Sequence, residues 1–302
     1  MTATTIVPLK DFAATWRDRT ERPDWAPPDS ESPLPLDHLG LRSRIEDVVD
    51  TVVALQRAEW LHDGVYLGPR ANPEIYRDVM HCARELKVSV PPAITTAGVM
   101  RNQRAAGTDA RPFLVLSSFF FRAADKTERR FIAGRIVGHV ALQQVTTMSV
   151  YALLVDSDGV RKVARKAVGP LLEVVLAPLG LGMRLALSRW HRAAEMAADR
   201  AGLLCCRDLN ASRMALLRIA LAVTPDVDPE AYLEQLRNTA DDSSPGRWAE
   251  LLQDEPWMHK RMMHLELFSK SQLYAELTGD PEPTGISRDE LEQGTRDLLG
   301  VG

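Results

Sequence analysis

The chain has 302 residues, 45% of them hydrophobic and 26% charged, with a net charge of −4 and a pI near 6.0. That is ample apolar material for a sizeable core, and the acidic balance argues against nucleic acid as a partner, because phosphate binding asks for a basic surface. Three cysteines (Cys82, Cys205, Cys206) exclude a disulfide framework and read as reduced core thiols of a cytoplasmic protein, and no basic stretch followed by an apolar run marks a signal peptide.

Residues 22–36 hold five prolines and read as an extended linker behind an N-terminal arm. Trp16 and Trp25 in this arm are expected to pack against the body of the protein, or else to dock a partner. Leu41 to Trp60 places Leu41, Ile45, Val48, Val52 and Leu55 on one helical face. Pro73 to Leu86 is a second helix with proline in its first turn. Residues 89–100 and 112–121 then change period: β-branched and aromatic residues bounded by Pro, Gly and Asn predict two strands, with a polar turn over 101–111.

From Lys126 onward the pattern is helical. One long helix is predicted over Thr127 to Ser149, a turn at Asp156 to Gly159, a broken helix pair over Arg161 to Leu187, and helices over Ser188 to Cys206, Asn210 to Val223, Pro229 to Thr239, Ser244 to Gln253 and Trp257 to Leu277. Asp228 is a good N-cap, and Ser287 with Glu290 forms a capping box that opens the last helix. Val168 to Leu187 is the most apolar stretch. Its length suits a membrane span, but Glu173, Arg184, prolines and glycines interrupt it, so it reads as a buried hairpin or groove, with membrane association as the alternative. The fold class is mainly α (α+β), with a small sheet leading into a helix.

Two segments carry the chemistry: ERRFIAGRIVGHVALQQ (128–144) and SRWHRAAEMAADRAGLL (188–204). Each is bland alone, a histidine on an apolar helix and two acids four residues apart. Together they resemble the zinc metallopeptidases that include the CAAX prenyl proteases and HtpX-like proteases, metallopeptidase family 48. In that family one helix carries H-E-x-x-H and a later helix carries R-x-x-E-x-x-A-D-x-x-G. Here Arg192, Glu195, Ala198, Asp199 and Gly202 fall in place. The run 112–134 resembles the family's approach to its active-site helix. Residues 255–274 resemble its H-P-x-x-x-x-R segment, with Pro256 and Arg261 in place and Glu255 where the histidine is usual. The resemblance covers roughly residues 70–277 and implies a zincin-like helical domain over 41–280, preceded by an arm and Pro-rich linker (1–40) and followed by a C-terminal capping helix (281–302).

The first motif departs from the pattern. Alignment on His139 gives Arg135-Ile136-Val137-Gly138-His139 for H-E-x-x-H. Histidines at i and i+4 share a helix face and hold zinc, while the glutamate activates water. A guanidinium offers no lone pair and Ile136 accepts no proton. Arg135 lies one turn before His139, so an Arg135–Glu195 or Arg135–Asp199 ion pair is expected to replace the metal. Accordingly no catalytic residue and no cofactor are expected; if zinc is bound, His139, Glu195 and His191 would be its ligands.

Three readings follow. The first is a pseudoenzyme that binds a protein or peptide partner in the old cleft, bordered by the FLVLSSFFF strand, with strand addition as the mode and the Pro-rich arm, in cis or from a second copy, as an occupant or an oligomer contact. The second is an active zinc metalloendopeptidase with an atypical site. The third is a membrane-associated scaffold resting on Val168 to Leu187.

Overall fold

The computed structural model describes residues 22–34, 40–97, 103–154, 164–166, 168–169, 181–221, 228–239, 258–280 and 282–300. A 3-10 turn at Pro28–Ser30 precedes α1 (Arg42–His62), β1 (Gly64–Tyr66), α2 (Pro73–Glu85), β2 (Ala93–Thr96), β3 (Arg104–Thr108) and β4 (Arg111–Ser117). Then follow α3 (Ser118–Ala123), α4 (Lys126–Ala141), α5 (Val145–Leu154), α6 (Leu181–Cys206), α7 (Leu209–Leu221), α8 (Pro229–Thr239), α9 (Met258–Ser269), α10 (Gln272–Thr278) and α11 (Arg288–Leu299). The protein is mainly helical with one small sheet, as its sequence pattern predicts.

The sheet has the order β1-β2-β4-β3. β4 is its spine, parallel to β2 and antiparallel to β3. Alternation along β4 sends Leu114 and Leu116 into the main core with Phe120, Phe131 and Ile132, while Phe113 and Val115 pack with Ile94 towards Trp60. A second cluster joins Ile45 and Val52 of α1 to Tyr151, Leu187 and Trp190.

Several elements differ from expectation, each for a local reason. The predicted strand 112–121 ends at Ser117, whose hydroxyl accepts from the Phe120 amide at 3.2 Å and turns Phe119 to Phe121 into α3. The stretch read as a polar turn contains β3, whose Ala105, Ala106 and Gly107 have no hydrophobic alternation to betray a strand. β1 is three residues long, too short for a periodic signal. The long helix predicted over 127–149 is two helices. Gln143 takes a left-handed φ of +55°, and the Gln143 and Gln144 amides donate back to Val140 and His139 carbonyls, closing α4 in a Schellman turn. Asp109 from the β3–β4 turn then caps α5 by accepting from the Val145 amide at 2.8 Å. Conversely, α6 runs unbroken through Ser188 from Leu181, and Ser271 divides the predicted helix 257–277 by capping α10.

Of the apolar stretch 168–187, residues 170–180 lie outside the described residues, as do Trp16, the predicted turn 156–159, and 244–253 with Glu255 and Pro256. Among the described residues no helix is long and apolar enough to cross a membrane. Trp25 is buried in the main core. All three thiols are free: Cys82 and Cys205 are buried and Cys206 half-buried.

Candidate functional site

α4 is set by its start. Asp125 accepts from the Thr127 and Glu128 amides at 2.7 and 2.9 Å, and Glu128 returns the bond to the Asp125 amide at 3.0 Å, a full capping box. The helix then passes through the interior with almost every side chain buried. α6 crosses it at backbone contact, which three glycines permit. A Cβ on Gly138 would stand 2.5 Å from the Ala201 Cβ; one on Gly134 would meet Cys205, and one on Gly202 would meet Phe131 and Arg135. This crossing brings Arg135 and His139 of α4 opposite His191, Glu195 and Asp199, spaced four apart along one face of α6.

Arg135 Nη2 donates to Glu195 Oε2, and Arg135 Nε lies 2.6 Å from Asp199 Oδ1. The second contact is an ion pair without hydrogen-bond alignment. Arg261 of α9 closes the group from the other side. Its Nε and Nη2 donate to the two oxygens of Asp199 at 2.8 and 2.7 Å, and Nη2 lies 3.6 Å from Glu195 Oε2. Two buried carboxylates thus face the buried guanidinium of Arg261 and the partly buried one of Arg135. The charges balance, which decides whether such a cluster can be buried at all, since each uncompensated ion costs several kcal/mol. Burial pushes the Glu195 carboxyl upward, but the charges of Arg135 and Arg261 outweigh it and hold Glu195 well below the usual carboxylate range.

The histidines approach Glu195 from outside this ion cluster. His139 Nε2 and His191 Nε2 stand 3.5 and 3.8 Å from Glu195 Oε1, and the His191 ring stacks on Tyr151 with centroids 4.2 Å apart. His139 Nδ1 is 2.8 Å from Gln144 Oε1, an acceptor, so the ring carries its proton there. Gln144 in turn donates through Nε2 to the Ser30 carbonyl at 2.9 Å. The Schellman turn at Gln143 is what folds Gln144 back to reach His139. A cavity of about 70 Å3 opens beside Arg135, Ile136, His139, Glu195 and Arg261, walled by Ile132 and Ile219 and rimmed by Gln103 and Arg104.

Residues 69–268 match the sequence model of Peptidase family M48. The chain belongs to this family. No curated protein and no solved structure matches it. The M48 match contains all of the residues just described except Ser30.

The fold therefore gathers Arg135, Ile136, His139, His191, Glu195 and Asp199, as the sequence suggests. The sequence reading places Arg261 by its family segment but does not reveal it as the partner of Asp199, and it misses Gln144 and Ser30, which have no motif. It also places the wrong strand at the cleft. β4 is paired on both sides and has no free edge for strand addition; the edge beside the cavity is β3. The described part of the Pro-rich arm does not line the cavity. It lies behind His139, on Gln144 and Trp190.

Proposed function

We propose that this M48 member is catalytically degenerate and works by binding a protein or peptide partner at the cavity beside Arg135. The observation that carries the reading is the contact of one guanidinium with both Glu195 and Asp199. In H-E-x-x-H chemistry zinc would draw on a histidine at position 135 and on Glu195. Here the donor set is the wrong one: a permanent cation stands at position 135, and Glu195 is engaged by Arg135 and Arg261. Among the described residues no group of three or more His, Cys, Asp or Glu side chains is arranged to hold a metal ion. At position 136, where the general base belongs, an isoleucine lines the cavity. Glu195, held ionised, is a poor base for a water at neutral pH. These residues do not fit zinc.

A site that has kept its cleft and its charge balance but lost its base is suited to holding a chain without cutting it. The partner segment would approach along β3 and insert one small side chain between Ile132 and Ile219. Fold membership alone does not supply this role; what supports the reading is the rewired charge cluster.

A second reading has one observation in its favour: His139 and His191 both converge on Glu195 Oε1. A relocated zinc on His139, His191 and Glu195 would make the protein an atypical metalloendopeptidase. Elemental analysis of the full chain, incubated with zinc and desalted, separates the two. The pseudoenzyme reading expects no stoichiometric zinc and no chelator-sensitive hydrolysis of casein. One tightly held zinc per chain with such hydrolysis overturns it.

A further inference from the structure

The cavity beside Arg135 has a polar floor whose hydrogen-bonding capacity is set atom by atom. Arg135 directs Nη2 to Glu195 and Nε to Asp199, while its Nη1 meets no acceptor among the described residues and is not sealed from the surface. Glu195 Oε2 takes the Arg135 bond. Its Oε1 faces the imidazole nitrogens His139 Nε2 at 3.5 Å and His191 Nε2 at 3.8 Å. The His139 proton is fixed on Nδ1, because Gln144 presents Oε1 to it. Gln144 is held that way round by donating from Nε2 to the Ser30 carbonyl of the strap that residues 22–34 form. His139 Nε2 is therefore a lone pair opposite a carboxylate oxygen. Two acceptors so placed oppose each other unless a donor enters beside them.

Charge and size restrict what can enter. Arg135 and Arg261 already balance Glu195 and Asp199, so an ionic guest would leave an uncompensated charge in a buried cluster. The Arg104 guanidinium does not alter this balance: it is turned over the Trp60 ring, 5.6 Å from the centroid. A cavity of about 70 Å3 exceeds the roughly 10–15 Å3 that one water needs, yet falls far below the roughly 300–1,000 Å3 of a pocket for a whole small molecule. It suits the end of one side chain, and Ile132, Ile136, Met148 and Ile219 wall it with apolar surface. The fitting guest is neutral, donates twice and accepts once. A carboxylate has no donor, an ammonium has no acceptor, and a hydroxyl has one donor for two acceptors. A primary carboxamide meets all three demands. Its two N–H groups match Glu195 Oε1 and His139 Nε2, and its carbonyl matches Arg135 Nη1.

We propose that this cavity is a subsite for a primary carboxamide, the side chain of an asparagine in the partner segment. The proposal rests on the partner-binding reading above and gives it a sequence requirement. Acetamide is the probe. Acetone, of the same size but without N–H donors, and acetate, which lacks them and is charged, are the comparisons. Each is titrated into the full chain carrying isotope-labelled histidine, and NMR follows the His139 ring nitrogens, assigned by their loss in His139→Gln protein. Acetamide should shift them saturably and bind at least about tenfold more tightly than acetone or acetate, as expected when hydrogen bonds to a charged, partly buried site are missing. Ile219→Phe, which narrows the cavity from its apolar wall, should abolish the shift. No saturable shift with acetamide, acetone or acetate binding within about tenfold of it, or an acetamide shift that Ile219→Phe leaves intact overturns the proposal. Zinc analysis of the same sample separates the two levels. No stoichiometric zinc and no acetamide shift strike out the subsite alone, whereas stoichiometric zinc with chelator-sensitive hydrolysis strikes out the reading beneath it.

Discussion

Arg135 is a cation placed where removing it leaves two acids behind. Glu195 is 8% exposed and Asp199 fully buried, so Arg135→Ala takes away one of the two guanidinium groups, Arg135 and Arg261, that face them. Breaking a buried ion cluster by deleting one partner costs about 3–5 kcal/mol, because the surviving charge is stranded. Neutralising Glu195 at the same time removes part of that burden. Arg135→Ala with Glu195→Gln should therefore destabilise less than the sum of the two single changes, by at least about 1 kcal/mol. Urea denaturation of the four proteins measures this coupling. A loss below about 1 kcal/mol for Arg135→Ala would mean that the guanidinium is solvated rather than structural. Ile136 offers no equivalent test of the cluster: it is apolar and lines the cavity without a charge to strand.

At the scale of elements, the site exists because α4 and α6 cross at glycines. Gly138→Ala sets two magnitudes against each other. Alanine is favoured over glycine in a helix by up to about 1 kcal/mol. The new Cβ would stand 2.5 Å from that of Ala201 on a facing helix, with no flexible side chain able to yield, and overpacking of this kind costs about 1–3 kcal/mol. Gly138→Ala should thus lower stability. Gly182→Ala, which meets nothing within 4 Å, should leave it unchanged or raise it. Equal effects from the two would show that the crossing can relax.

The sequence exposed this part of the molecule well. Helix periodicity and the spacing of Arg192, Glu195, Asp199 and Gly202 located both helices and the face that they share. What it concealed was set by tertiary partners. β3 is stabilised by pairing with β4 rather than by its own Ala-Ala-Gly composition, and the break at Gln143 has no glycine to announce it. Gln144 acquires its role only because that break turns it towards His139 and the strap. Arg261 comes from a helix more than sixty residues beyond Glu195, so no local spacing could join it to Asp199.

At the scale of the whole molecule, Arg200 ties the strap, α6, α9 and α11 into one body, and a histidine makes that junction sensitive to acid. Arg200 is fully buried, and Glu292, Thr295 and the Trp25 carbonyl surround its guanidinium. Its Nε donates to His264 Nε2 at 3.2 Å, so that nitrogen holds no proton and the ring is neutral. Burial, with Arg200 and then Arg261 nearby, holds His264 well below its ordinary value of 6.5. In the unfolded chain His264 takes up a proton as the pH falls through about 6.5, whereas in the fold it does not. Its contribution is therefore present above 6.5 and is lost progressively as the pH falls towards the depressed folded value, by up to about 1.4 kcal/mol per pH unit for one proton. His81, also lowered by burial, acts in the same direction. Glu195 is depressed too, but its share disappears only below the ordinary carboxyl value of 4.5, so the loss of stability between 6.5 and 4.5 comes from the histidines, while Asp50 and Asp109, raised by burial, act in the opposite direction. His264→Gln can still accept from Arg200 but cannot titrate. It should flatten the fall in unfolding free energy across that window by about one proton's slope, leaving the steeper loss below 4.5 in place. Urea midpoints for both proteins at half-unit pH steps provide the check, and parallel curves between 6.5 and 4.5 would remove His264 from the account of acid sensitivity.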